Sequence, residues 1–241
     1  AVLIEPGAGD IKKIGIFLSS LDKPKKYIPL DISEDYITKI SKSFKKKFPK
    51  VTITPKGYDF SKNNKLPFKI NSSENITIFF PGSTIGNFEK KDAVKFLKML
   101  KSKFKAKKII IGADLVKDIP TLISAYNDKK GVTAKFNKNI LRRINTELGG
   151  NINLNSYKHL AIYNKSKKRV EMRLRSKRNN KIKINSSKYL IKKNEEIHTE
   201  NSHKYTIKSF KKLANEAGWK IEKTWVDDKK LFSVHCLNLA L

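Results

Sequence analysis

A chain of 241 residues that is 39% hydrophobic and 10% aromatic can bury a sizeable core, so its 31% charged content does not mark it as disordered. No apolar run approaches the roughly 20 residues that span a bilayer, the opening AVLIEPGAGD has no basic leader, and the single Cys236 cannot close an internal disulfide. The formal net charge of +31 raises nucleic acid as a partner, but only six of the 53 basic residues are arginine, the bidentate reader of phosphate and guanine.

AVLIE is a short apolar strand that breaks at EPGAGD, and IKKIGIFLSSL follows as a helix. YIPLDIS is a second strand ending in an acid. Ser33 then offers an N-cap, Glu34 and Asp35 suit a first turn, and Tyr36, Ile37, Ile40 and Phe44 share one helical face until Pro49. VTITP begins a third strand leading to GYDF, NITIFF is the fourth, residues 89–105 form the next helix, and KKIIIGADL is the fifth strand. Along that helix the lysines alternate with Val94, Leu97, Leu100 and Phe104, the pattern of a solvated face. The charge therefore reads as a surface bias rather than a selected patch, with weak attraction to polyanions at low salt either way. Strand, helix, strand in repetition predicts an α/β domain with a parallel sheet.

The rhythm changes after Asp118. DIPTLISAYND and VTAKFNKNILRRINTEL read as consecutive helices, and HLAIYN, RVEMRLRS and KIKIN as short strands with polar joints. The first style returns with a helix in YTIKSFKKLANEAGW ending at Gly218, and with KIEKTWV and LFSVHCLNLAL as a closing antiparallel hairpin. The expected organisation is a doubly wound domain, residues 1–116 and 205–241, carrying an α+β insertion at 117–204.

In an open parallel sheet, ligands sit at the carboxyl ends of the strands. Glu5-Pro-Gly7-Ala-Gly9 follows strand one, where missing side chains let a ligand approach backbone N–H groups. Asp31 closes strand two at a spacing suited to a ribose diol, and Asp59-Phe60 follows strand three, where an acid and a ring can meet an adenine. Together they point to an adenosine ligand. No G-x-x-x-x-G-K-[ST] loop is present, so phosphates are not required of it. The fourth strand ends at Pro81-Gly82 and offers an uncharged amide, Asn87.

The E-x-G-x-G turn with its strand-two acid resembles the S-adenosylmethionine site of class I, Rossmann-like methyltransferases. PGSTIGNF (81–88), GADLVKD (112–118), AYND with GVTAKFNKNILRRIN (125–145), RVEMRL (169–174), HTENSHKY (198–205) and AGW with FSVH (217–235) together resemble the histidine-specific methyltransferase family, in order and over nearly the whole chain. The resemblance implies methylation of the α-amine of L-histidine three times to hercynine, on the ergothioneine route, with S-adenosylmethionine as donor and S-adenosylhomocysteine as product. It also implies roles for residues. Gly7, Lys13, Asp31, Asp59 and Phe60 would hold the donor; Asn87 and the Gly82 backbone would hold the amino-acid head group, with Asn87 the catalytic residue. Tyr126 would bind the carboxylate, Glu200 and Ser202 would meet the imidazole nitrogens, and Met172 would pack on the ring. Plain readings stand beside three of these: Met172 alternates with Val170 and Leu174 as strand core does, Tyr126 could pack a helix, and Lys13 is one lysine among many.

The spacing of His159, His198, His203 and His235 matches no metal motif, and there is no G-x-S-x-G elbow. Expected partners are thus a small-molecule substrate, with no specific nucleic acid and no membrane, for a cytoplasmic monomer. Family members carry a helical segment before strand one that supplies tyrosines to both ligands; residues 1–241 alone are expected to bind donor weakly and turn over slowly. The alternatives are a methyltransferase for another amino acid, such as a tryptophan derivative, and a non-catalytic or RNA-binding relative.

Overall fold

The computed structural model describes residues 1–9, 12–21, 26–59, 65–71 and 74–240. In chain order the elements are β1 (Val2–Pro6), α1 (Lys12–Ser19), β2 (Lys26–Asp31), α2 (Glu34–Lys47), β3 (Thr52–Ile53), β4 (Lys56–Gly57), β5 (Ile76–Phe80), α3 (Lys90–Ser102) and β6 (Lys108–Asp114). Then come α4 (Ile119–Tyr126), α5 (Val132–Glu147), β7 (Tyr157–Asn164), β8 (Arg169–Ser176), β9 (Asn180–Ile184), β10 (Ser187–Ile191), β11 (Glu196–His203), α6 (Ile207–Glu216), β12 (Trp219–Val226) and β13 (Phe232–Leu239). They form two compact units, residues 1–115 with 205–241, and residues 116–204.

The first unit is built on one sheet of order β12-β13-β6-β5-β1-β2-β3, with β4 also paired to β2. Strands β3 to β6 run parallel, and β13 is antiparallel to both of its neighbours. The short strands are apolar on both faces because both are covered. Leu3, Tyr27 and Phe79 face Ile14 and Leu18 of α1 and Phe44 of α2. Ile4, Ile28, Ile78, Ile109 and Ile111 pack with Leu97 and Leu100 of α3 and with Phe210 and Leu213 of α6. Since β1 pairs with β2 on one side and β5 on the other, the strand order reverses there, and a sheet of this kind takes ligands outside the carboxyl ends of the strands at such a reversal.

Three details depart from the sequence reading. The third strand is two short pieces, β3 and β4, separated at Thr54-Pro55, because proline has no N–H to continue a ladder. Ser33 occupies the N-cap position of α2 without a side-chain cap, and its N–H is given instead to Asp31 Oδ1 at 3.0 Å. Tyr36 is exposed; the buried face of α2 is Ile37, Ser41 and Phe44.

The second unit has a three-stranded antiparallel sheet, β11-β8-β7, a separate hairpin of β9 and β10, and helices α4 and α5 packed against β7 and β8. Its core is Leu141, Ile152, Tyr157, Leu174 and Ile182. β10 and β11 are strands beyond those the sequence predicts: EIHTENSH is polar and lacks the apolar alternation that marks a strand. A register shift between His198 and Glu200 adds one residue to β11. Ile197 pairs with Leu174 before the bulge, and Glu200 and Ser202 pair with Met172 and Val170 after it, so all of them share one sheet face. The other face carries an ion ladder: Glu171 accepts from Arg169 and Arg173, and Glu196 from Arg173 and Arg175.

Candidate active site

In the first unit the relevant groups stand on turns at strand ends. Register brings them together: Pro6 pairs with Leu30 and Asp31 with Gly57, so Gly7, Asp31 and Asp59 stand at adjacent carboxyl ends of β1, β2 and β4. The Ala8 N–H donates to Leu30 O at 3.0 Å and the Tyr58 N–H to Asp31 O at 2.9 Å, which stitches these turns into one rim. Gly7 has φ of 67°, in the left-handed region, and a Cβ added at Gly7 or Gly9 would meet nothing within 4 Å. Beneath the rim, buried Tyr27 Oη donates to buried Glu5 Oε2; burial, then the Glu5 charge, push the phenol's pKa far up and keep it a donor.

The turn after β5 is held at several points. Ser83 takes a left-handed φ of 58°, and its hydroxyl accepts the Asp114 N–H at 2.9 Å. The Gly86 N–H donates to Ser83 O at 2.9 Å, and Tyr205 Oη donates to Ile85 O at 3.3 Å. On β6, Gly112 has no room for a side chain, because a Cβ would lie 2.1 Å from Pro81 O. The outcome is a fixed 3₁₀ turn, Thr84–Asn87, that leaves the Gly82 backbone and the Asn87 carboxamide exposed. Lys13 comes near it: its Nζ is 3.9 Å from where a Gly82 Cβ would stand. Phe60, the remaining donor-side expectation, lies outside the described residues.

In the second unit the relevant groups stand on a helix end and a sheet face. Tyr126 is the last residue of α4, a helix started by Asp118, whose carboxylate accepts the Thr121 N–H at 2.8 Å. Asp128 then caps α5 by accepting from Val132 and Thr133 N–H groups at 2.9 and 2.8 Å, and these backbone donors hold its pKa down to about 2. Tyr126 Oη and Ser202 Oγ are 2.7 Å apart, and the buried Lys204 Nζ donates to both, at 2.7 and 2.9 Å. The ammonium also lies 4.6 Å from the centre of the Tyr126 ring. The two hydroxyls share one hydrogen between them, so within this trio a second hydroxyl hydrogen is left to be given outward. Glu200 and Met172 are a cross-strand pair on that same face, Met172 buried and Glu200 half-buried.

Sequence reasoning missed Lys204, Ser83 and Tyr205. All three fall inside quoted motifs, Lys204 and Tyr205 in HTENSHKY and Ser83 in PGSTIGNF, yet their partners, Tyr126 for Lys204, Asp114 for Ser83 and Ile85 for Tyr205, are remote in the chain.

Comparison with known proteins follows the same lines. A family model described as "Histidine-specific methyltransferase, SAM-dependent" matches residues 1–239. Histidine N-alpha-methyltransferase of Mycolicibacterium smegmatis is 28% identical over 232 residues, covering 93% of this chain and 71% of that protein. Ergothioneine biosynthesis protein 1 of Neurospora crassa is 34% identical over 155 residues, 62% of this chain and 18% of that protein. Among solved structures, an S-adenosylmethionine-dependent methyltransferase from Clostridium acetobutylicum superimposes with a TM-score of 0.51 at 12% identity, over 100% of this chain and 84% of that one. OxaC in complex with SAH and oxaline gives 0.53 at 13% identity, over 99% and 42%. These structural likenesses show the fold.

Proposed function

The chain belongs to the histidine-specific, S-adenosylmethionine-dependent methyltransferase family, and on that premise we propose that it methylates the α-amine of L-histidine, in three rounds, to hercynine. The rim of the first unit suits the donor. Gly7 and Gly9 leave open space where side chains would stand, and Asp31 and Asp59 offer carboxylates at neighbouring strand ends. Gly7, Lys13, Asp31, Asp59 and, by resemblance, Phe60 would hold it. When bound, it supplies a methyl group made electrophilic by a sulfonium.

Asn87 orients the amine. An ammonium has no lone pair to attack with, and a carboxylate beside the amine would favour the ammonium. A carboxamide accepts the amine N–H without adding charge. The Lys13 ammonium near Gly82 works in the same direction, because a like charge disfavours protonation. Among the described residues this reading assigns no acid or base to the amine, so the proton shed between rounds passes to water and the rate rests on alignment of nitrogen with methyl carbon.

The observation that carries the substrate reading is the Tyr126–Ser202–Lys204 trio with Glu200 on the same face. A buried ammonium and a hydroxyl with a hydrogen to give suit the carboxylate of a free amino acid. Glu200 accepts an imidazole N–H, Ser202 meets the other ring nitrogen, and Met172 packs against the ring. Incubating residues 1–241 with the donor and each of the twenty amino acids, and weighing the products, tests this. Mono-, di- and trimethylated histidine alone are expected; methylation of tryptophan, or of no amino acid, overturns the reading. Glu200→Ala should weaken histidine by at least about tenfold and leave donor binding unchanged.

A further inference from the structure

The N-x-N-x-L-R-R-I-N stretch of α5 has no role in the chemistry so far, and its first asparagine leads to the trio. Asn137 is buried, and its Nδ2 donates twice: to His159 Nδ1 at 2.9 Å and to the Arg173 carbonyl at 3.2 Å. His159 is buried on β7, and its Nε2 lies 2.8 Å from the Tyr126 carbonyl. That carbonyl ends α4, where the last four carbonyls of a helix have no partner within it.

These contacts fix the direction of every hydrogen. The amide cannot be flipped, since Asn137 Oδ1 would then face the Arg173 carbonyl oxygen. His159 Nδ1 therefore accepts, the ring hydrogen sits on Nε2, and Nε2–H donates to Tyr126 O. The opposite tautomer would set two lone pairs against each other. A buried carboxamide one helical turn from Leu141, and a buried imidazole paired in register with Leu174, are costly unless hydrogen-bonded, and apolar side chains would suit the same core. What an apolar pair could not do is hold the Tyr126 backbone at a set place over the sheet.

We infer that Asn137 and His159 are positioning residues: the carboxamide selects the imidazole tautomer, and the imidazole anchors the helix end from which Tyr126 presents its phenol to Ser202 and Lys204. This rests on the proposed part of Tyr126 in binding the substrate carboxylate. The dyad touches no substrate; it acts on affinity for the amino acid and not on the donor.

Kinetics of the full chain with His159→Leu, His159→Gln, Asn137→Ala and Tyr126→Phe test it, alongside ¹⁵N–¹H spectra of imidazole-labelled protein. His159→Leu is expected to raise KM for histidine about tenfold, with kcat and donor Kd within about twofold of the parent. His159→Gln, which keeps an N–H where Nε2 stood, should restore KM to within about twofold, and a loss as large as that of leucine overturns the inference. The parent spectrum should show His159 protonated at Nε2 alone, and Asn137→Ala should mix the tautomers and raise KM. If His159→Leu does not fold, Asn137→Ala decides: mixed tautomers with an unchanged KM overturn the inference. Where Tyr126→Phe raises KM but the dyad variants do not, the inference fails and the substrate reading stands. An unchanged KM in Tyr126→Phe overturns both.

Discussion

In residues 1–115 and 205–241, the groups proposed to meet ligands stand on backbone turns at strand ends, held mainly by main-chain hydrogen bonds and the close passage of Pro81 over Gly112, with the Ser83 and Tyr205 hydroxyls adding two anchors to the turn after β5. In residues 116–204 they stand on a helix end and a sheet face, held by side chains: Asn137, His159, Ser202 and Lys204. The first arrangement presents N–H groups and carboxylates at strand termini. The second is a polar network in a small core, in which each member depends on the next. On the proposed reading, a donor common to a large fold class would meet the first, and discrimination among amino acids would fall to the second.

The largest expected effect tests the backbone-built half. Gly112→Ala puts a methyl group 2.1 Å from Pro81 O, a clash that only a main-chain shift can relieve. A destabilisation of about 3 kcal/mol is expected, with a roughly hundredfold loss of kcat/KM because Gly82 and Asn87 move with Pro81. Urea melts and steady-state kinetics read both, and a parent-like enzyme would show that the turn is not held there.

The side-chain-built half should answer to Lys204. Lys204→Met keeps the length but loses the ammonium that serves Tyr126 and Ser202. KM for histidine should rise roughly a hundredfold while calorimetry finds donor affinity unchanged. Equal losses on both ligands would erase the contrast drawn above.

Acid should separate the two units in order. His235 is fully buried in the first unit, bonded to Thr224 and Ser233 and stacked on Phe210, and burial lowers its pKa from 6.5 to about 4. The unfolded chain then binds the proton more readily, so stability on the order of 3 kcal/mol is present above pH 6.5 and is lost as pH falls toward 4. In the second unit, burial pushes the Glu171 pKa up, but hydrogen bonds from Arg173, Arg169 and Asn164 outweigh it and hold the group at about 2. Its depressed pKa gives stability that is present above about 4.5 and lost as pH falls toward 2. Trp219 and Trp225 both report the first unit, so tryptophan fluorescence should change at milder acid than hydrogen exchange in β8. Simultaneous transitions would contradict this order.

The smallest effect is electrostatic. Asn87→Asp leaves the turn intact and adds a charge that favours the ammonium form of the substrate, so kcat near neutral pH should fall about tenfold and recover as pH rises. A pH profile of unchanged shape would separate Asn87 from the amine.

The amphipathic spacing of Val94, Leu97, Leu100 and Phe104, the β-branched runs of β1, β5 and β6, and the paired strands of the closing hairpin determine the α/β architecture locally. So does the location of Gly7, Asp31 and Asp59, because in a parallel sheet a residue following a strand is placed at its carboxyl end by the strand itself. β11 could not be read this way. All but Ile197 of its eight residues are polar, and only pairing with β8 and the bulge near Thr199 decide that Glu200 and Ser202 look the same way as Ile197. The same is true of Lys204, His159 and Asn137, whose partners are up to 78 residues away. Periodicity is a property of neighbours in the chain and reports which side of an element is apolar; a hydrogen bond between distant side chains depends on how elements are stacked, and so exists only once the chain has folded.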